Sequence, residues 1–187
     1  NKLKNKNIEL WPAINGKQVN IKKYQNLNYL TDNFKLNMPG SLGCLLSHIT
    51  LWEKCEKDKD CQIALIFEDD TEIKQNFDDL LNEIDLTILP KDWTMLKLSY
   101  KGLIGKSISN TIVKPESVKK KGANAGNWCY LLNTKNVQKL LNIILPYDNQ
   151  ISLDVILRGN IEELNIFFSK NNLAKHYENK YSPRKDL

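Results

Sequence analysis

The chain has 187 residues, of which 41% are hydrophobic and 26% charged, enough for one globular unit with its own core. No apolar run approaches the roughly 20 residues that cross a bilayer, and the polar, Lys-rich start is not a signal peptide. The net charge of +5 comes from lysine, since only Arg158 and Arg184 among the 27 basic residues are arginine. Arginine is the side chain that reads bases and phosphates bidentately, so dedicated nucleic-acid recognition is disfavoured. Cys44, Cys55, Cys61 and Cys129 form no C-x-x-C pair, and His48 and His176 complete no zinc spacing. Buried thiols are expected, with a Cys55–Cys61 bridge open in a secreted protein.

In chain order, 8–12 reads as a short strand and Asn15-Gly16-Lys17 as a turn. Residues 20–38 offer Tyr24, Leu27, Tyr29 and Leu30 as apolar anchors without a period. Pro39-Gly40-Ser41 punctuates, with Ser41 as a helix cap. Leu45, Ile49 and Trp52, flanked by Leu42 and Leu46, then share one face of a helix over 42–56. The run Ala64-Leu65-Ile66-Phe67 has no alternation, which predicts a strand buried on both faces in a parallel sheet. It stops at Glu68-Asp69-Asp70. Burying unpaired carboxylates is costly, so these acids belong at the strand's C-terminal end, where open α/β sheets place ligands. Two readings stand: a solvated acidic turn, or hard oxygen donors gathered by a divalent cation that bridges to phosphates.

Phe77, Leu80, Leu81 and Ile84 mark a second helix ended near Pro90, and 93–98 alternates as a strand. The Lys-, Gly- and Ser-rich stretch 100–126 reads as a long loop with one hairpin. A strand over 128–132 leads into a helix capped by Asn133 or Thr134, carrying Val137, Leu140, Leu141 and Ile144 and stopped by Pro146. A helix over 153–157, a strand over 165–168 and a frayed polar tail over 181–187 complete the chain. Strands alternating with helices define the α/β class in a single domain over 1–187.

The segment Gly40-Ser41-Leu42-Gly43-Cys44-Leu45-Leu46-Ser47-His48, followed by Ala64 to Asp70, resembles glycosyltransferase family 25. Its pattern pairs a G-x-x-G-C-x-x-S-H helix with an A-L-I-x-E-D-D strand end. Trp11-Pro12-Ala13-Ile14-Asn15-Gly16 is similar to the family's P-A-x-x-G turn, Gly126 to Leu141 to its later strand-to-helix unit, and Ser152-Leu153-Asp154 to its x-x-D. The family holds bacterial lipooligosaccharide galactosyltransferases and procollagen galactosyltransferases. The resemblance implies a GT-A-type, Rossmann-like fold with a mostly parallel sheet flanked by helices. It also implies inverting transfer of a hexose, galactose first, from a UDP-linked nucleotide sugar with Mn²⁺ or Mg²⁺. The acceptor would be a glycan, a lipooligosaccharide or a collagen-like hydroxylysine. The family's Arg-bearing I-N-L-x-x-R segment, which helps seat the nucleotide upstream of the P-A-x-x-G turn, has no match in these residues. A non-enzymatic reading therefore stands beside the first: a degenerate domain that binds a sugar or a partner protein.

The resemblance and the chemistry together nominate residues. Glu68 and Asp70, two apart, can meet the D-x-D arrangement on one side of an extended chain. Asp70 is assigned to the metal, Glu68 to metal or ribose, and Asp69 to the metal or to a hydrogen bond behind it, against a solvated turn carboxylate. His176 is a late metal ligand or a surface histidine. Ser47 and His48 either reach the donor and orient an acid, or cap and bond within the core. Asp154 matches the family's late Asp and is the candidate base, with Asp148 as its rival. Gly126, Asn127 and Trp128 could admit and stack on a sugar, the ordinary alternative being a core Trp. The haloacid dehalogenase pattern D-x-D-x-T is disfavoured because Glu68 stands at its nucleophile position and Glu72 at its Thr position. A receiver domain lacks its phosphoacceptor Asp after 93–98, where Ser99-Tyr100 stand.

Overall fold

The computed structural model describes residues 8–117, 122–148 and 151–177. After a short helix α1 (Ile21–Asn26), capped by the Asn20 side chain on the Lys23 N–H, the chain enters the long helix α2 (Pro39–Lys57). Ser41 is not its cap. Pro39 opens the helix, because its fixed φ suits the first turn and its missing N–H would be unpaired there anyway.

Strand β1 (Ile63–Phe67) follows, then β2 (Thr71–Ile73), α3 (Phe77–Asn82), β3 (Met95–Lys97), β4 (Gly105–Ser107) and β5 (Ile112–Pro115). Strand β6 (Cys129–Asn133), α4 (Val137–Ile144), α5 (Leu153–Gly159), β7 (Ile166–Ser169) and β8 (Ala174–His176) complete the described elements. Six strands form one sheet in the order β1-β6-β3-β7-β5-β4, while β2 and β8 pair antiparallel in a small second sheet.

The α/β class holds, but the mostly parallel sheet does not: only β3 and β7 run parallel, and every other pair is antiparallel. The run expected at the sheet's centre is instead an edge strand, paired with β6 alone. Its lack of alternation has another cause. Ala64 and Ile66 pack on the cluster built with α2, α4 and α5, while Leu65 and Phe67 pack on the cluster under α3. Two covered faces produce a continuous apolar run whether or not a strand lies on each side. Residues 8–12 form no strand, and β2 and β8 were not anticipated because three residues carry too little pattern. The expected hairpin in 100–126 is β4–β5. The four cysteines are free thiols, only Cys129 being fully buried. The tail over 181–187 lies outside the described residues.

Gly43 of the G-x-x-G-C helix and Gly16 of the segment before it have a packing cause, whereas a Cβ on Gly40 would meet nothing. A Cβ on Gly43 would sit 2.5 Å from the Ile14 carbonyl oxygen, and one on Gly16 would sit 1.7 Å from that of Pro39. Bare backbone at both positions lets the 14–16 segment lie directly on α2. Ser47 fastens it, accepting the Ile14 N–H at 2.8 Å while donating to the Gly43 carbonyl at 2.7 Å. Gly43→Ala is expected to destabilise the fold by about 1–3 kcal/mol, the usual cost of overpacking. Denaturant unfolding checks this, and a midpoint equal to wild type would show that the contact yields freely.

Candidate active site

The acidic turn is fixed by backbone before side chains enter. The Glu68 N–H donates to the Trp128 carbonyl at 2.9 Å, which carries the β1–β6 pairing one residue past the strand. The Thr71 hydroxyl donates to the same carbonyl at 2.6 Å, and the Thr71 N–H closes the turn on the Glu68 carbonyl at 3.2 Å. Strand β2 then pairs with β8 in a register that sets Thr71 opposite His176. This brings together two residues 106 apart in sequence: His176 Nε2 lies 3.0 Å from Asp70 Oδ2. The Tyr177 N–H donates to the Asp70 carbonyl at 2.7 Å and locks the pair from the backbone side.

Glu68 faces a different partner. Its Oε1 accepts from His48 Nε2 at 3.2 Å, and His48 Nδ1 is hydrogen-bonded to the Tyr130 hydroxyl at 2.7 Å. Tyr130 in turn accepts the Trp52 indole N–H at 2.8 Å. Burial acts to lower the His48 pKa, but hydrogen bonds with Cys44 and Glu68 outweigh it and hold it up at about 9. His48 is thus built to donate to Glu68 and aim it. Among the described residues, ligand-type atoms of Cys44, His48 and Glu68 lie within 4.8 Å of one another. Cys44 entered the site unannounced; its place one helical turn before His48 is the signal that was available.

The residues nominated for a metal therefore divide. Glu68 turns to His48, Asp70 turns to His176, and Asp69 is exposed. The Asp70–His176 pair has unspent ligand atoms: Asp70 Oδ1 and His176 Nδ1 are both buried and have no hydrogen-bond partner among the described residues. A buried carboxylate oxygen left bare is costly, and a hard cation is one natural remedy.

On the other side of Trp128 lies Gly126, with φ +99°, where a Cβ would meet the Trp128 ring at 2.4 Å. Its N–H donates to Asp154 Oδ1 at 2.7 Å, so the candidate base is tied to the candidate sugar platform. The Trp128 ring lies 5.0 Å from that of His176 and 5.4 Å from Lys101 Nζ. Asn127 is buried and its Oδ1 has no hydrogen-bond partner among the described residues. Lys97 Nζ stands 3.7 Å from Asp154 Oδ1 in a fully buried position. This lysine was missed, although one charge inside the apolar run Trp93 to Leu98 was visible.

Asp148 is not in this group. It is exposed beside Tyr147 and lines a cleft with Ile144, Val155 and Gly159. Ser47 spends its hydroxyl on the 14–16 segment and α2.

The sequence pattern of Glycosyltransferase family 25 (LPS biosynthesis protein) matches residues 1–157. Proteins named procollagen galactosyltransferase 2 are similar: the mouse protein is 26% identical over 79% of this chain and 22% of its own length. The human one is 23% identical over 96% of this chain and 28% of its own length. A protein of Acanthamoeba polyphaga mimivirus with a provisional glycosyltransferase name is 38% identical over 33% of this chain and 19% of its own. The chain thus spans less than a third of each of these relatives.

Tyr130→Phe tests the support behind Glu68. It strips the partner from the buried Trp52 N–H and from His48, and an unmet buried polar group costs about 1–3 kcal/mol. Denaturant unfolding should show that loss; a variant as stable as wild type would mean that the hydroxyl bonds contribute nothing net.

Proposed function

Because this chain belongs to glycosyltransferase family 25, we propose that it transfers a hexose from a nucleotide sugar to a hydroxyl acceptor, with inversion and with a divalent cation. The observation that supports this best is the turn after β1. There an acidic residue is pinned beside a histidine from the far end of the chain, and its other carboxylate oxygen is buried and bare.

Asp70 and His176 would hold the cation, Mn²⁺ or Mg²⁺, with Glu68 and Asp69 on the same turn. When bound it supplies neutralising charge to the diphosphate leaving group. The remaining work falls to the chain. Trp128, held against Gly126, offers an apolar face of the kind on which sugars stack. Asp154, fixed through Oδ1 by the Gly126 N–H, keeps a second carboxylate oxygen for the proton of the acceptor hydroxyl as that oxygen attacks. Asp148 stands apart from these groups, which favours Asp154 as the base. His48 donates to Glu68 and keeps that carboxylate oriented. The GT-A-type arrangement of an acidic strand end beside a sugar site belongs to this reading.

The sugar and acceptor follow from the relatives. Galactose from a UDP-linked donor is proposed because the mouse and human relatives are named as galactosyltransferases. A lipooligosaccharide or other glycan, or a collagen-like hydroxylysine, is the proposed acceptor class.

Titration calorimetry with UDP tests the reading. Binding should require Mn²⁺, and Asp70→Ala should weaken the Mn²⁺-dependent part at least tenfold while the fold survives, since the Tyr177 N–H bond goes to the Asp70 backbone. Binding of UDP that ignores both chelator and Asp70→Ala would overturn the cation site. Asp154→Asn should leave UDP affinity near wild type while UDP release from UDP-galactose falls by about two to four orders of magnitude. If that variant turns over at the wild-type rate, Asp154 is not the base. Metal-coupled UDP binding with no turnover by the wild-type protein would favour the binding-module reading.

A further inference from the structure

Lys97 is the least expected side chain in the molecule. It lies on β3, between β6 and β7, opposite Tyr130 and Phe168, and it is 0% exposed. Its strand neighbours Met95, Leu96 and Leu98 are equally buried and apolar. A lysine is almost never fully buried unless it is paired. Here the ammonium meets no hydrogen-bond partner among the described residues. Its surroundings are the Phe168 ring at 5.6 Å and Asp154 Oδ1 at 3.7 Å. An apolar side chain of the same size would suit the core better, because a buried ion pair is commonly no more stable than its hydrophobic replacement. The lysine is therefore poorly explained by stability, and the carboxylate at ion-pair distance from it among the described residues is Asp154.

We propose that Lys97 is a positioning residue: its buried ammonium, together with the Gly126 N–H, holds Asp154 Oδ1 in one place and leaves the other carboxylate oxygen free for proton transfer. The proposal rests on the reading of Asp154 as the base. The two contacts divide the labour. The Gly126 bond at 2.7 Å sets direction, since a backbone N–H at φ +99° has little freedom. The Lys97 charge acts through space at 3.7 Å and draws the same oxygen toward β3.

The groups that face Lys97 set where this works. Burial lowers its pKa most, Asp154 and Glu68 act to raise it, and Arg158 lowers it further, leaving it at about 8. Asp154 and Arg158 come from α5, Glu68 from the turn after β1, and Tyr130 from β6, whose own pKa burial pushes well up. The ammonium is therefore present below pH about 8 and is lost as pH rises through it.

The test is carbon-13 NMR of the carboxyl of Asp154 in protein labelled at aspartate Cγ, its signal assigned by its disappearance in Asp154→Asn. In the wild-type protein the signal should show an inflection near pH 8 as Lys97 loses its proton. In Lys97→Met, which keeps the length and removes the charge, that inflection should vanish and kcat for UDP release from UDP-galactose should fall by about one to two orders of magnitude, with KM for the donor near wild type. Lys97→Arg should restore most of the wild-type kcat and abolish its loss as pH rises through about 8. The absence of the inflection in the wild type, or a wild-type kcat in Lys97→Met, overturns the proposal, and the wild-type arm decides it even if the Met variant does not fold. Asp154→Asn turning over at the wild-type rate would instead sink the base assignment, a separate result from the carboxyl shift.

Discussion

The Trp128 carbonyl is the point on which the site hangs. It accepts the Glu68 N–H and the Thr71 hydroxyl together, so the acidic turn cannot move relative to the strand that carries Trp128. Everything nearby inherits that constraint. With Thr71 held, β2 leaves in the one direction that pairs with β8, and His176 arrives at Asp70. Two residues before Trp128, Gly126 turns its N–H to Asp154. Both candidate functions, cation holding and proton transfer, are thus positioned from opposite sides of one tryptophan. Backbone hydrogen bonds do this better than side-chain contacts, because they lose little conformational freedom once the strands are paired.

Helix α2 braces the arrangement from the other side. Its face carries Leu45, Ile49 and Trp52 into the core, which sets its height over the sheet. That packing puts the Trp52 indole and the His48 ring at the Tyr130 hydroxyl, and His48 at Glu68. The bare backbone of Gly16 and Gly43 and the Ser47 hydroxyl then seat the incoming chain on the same helix. One helix therefore serves both halves of the G-x-x-G-C-x-x-S-H pattern. Gly43 and Ser47 dock the preceding segment, and His48 reaches the acids.

Much of this was legible in the residues. The α2 periodicity, the hairpin within 100–126, the strand ending at Asn133 and the helix after it are local signals that survive into the structure, although Asn133 caps a short 3-10 turn and α4 itself starts without a side-chain cap. The acidic strand end was also readable, since carboxylates abruptly following apolar residues have no place in a core. Strand order was not. Ala64 to Phe67 looks central because both its faces are covered, yet hydrophobicity reports covered faces and is blind to how many strands lie alongside. The Asp70–His176 meeting depends on two three-residue strands whose pairing no pattern announces. Lys97 was visible but hard to interpret, because a lysine in a strand reads as solvent-facing until the strand is known to lie inside the sheet.

The charges of the site explain why such irregularities collect there. Glu68, Asp69, Asp70 and Asp154 put four carboxyls on the two sides of Trp128, and left unpaired they would repel one another. The chain answers with a positive or proton-donating partner for three of them: His48 for Glu68, His176 for Asp70 and Lys97 for Asp154. Only the exposed Asp69 is left to solvent. The three partners come from α2, β8 and β3, so the pairing is complete only when the helix, the small second sheet and the central strand are all in place. An acidic site of this kind is assembled by tertiary structure. No fragment of the chain carries it alone, and for that reason the acids stand out in the sequence while their partners do not.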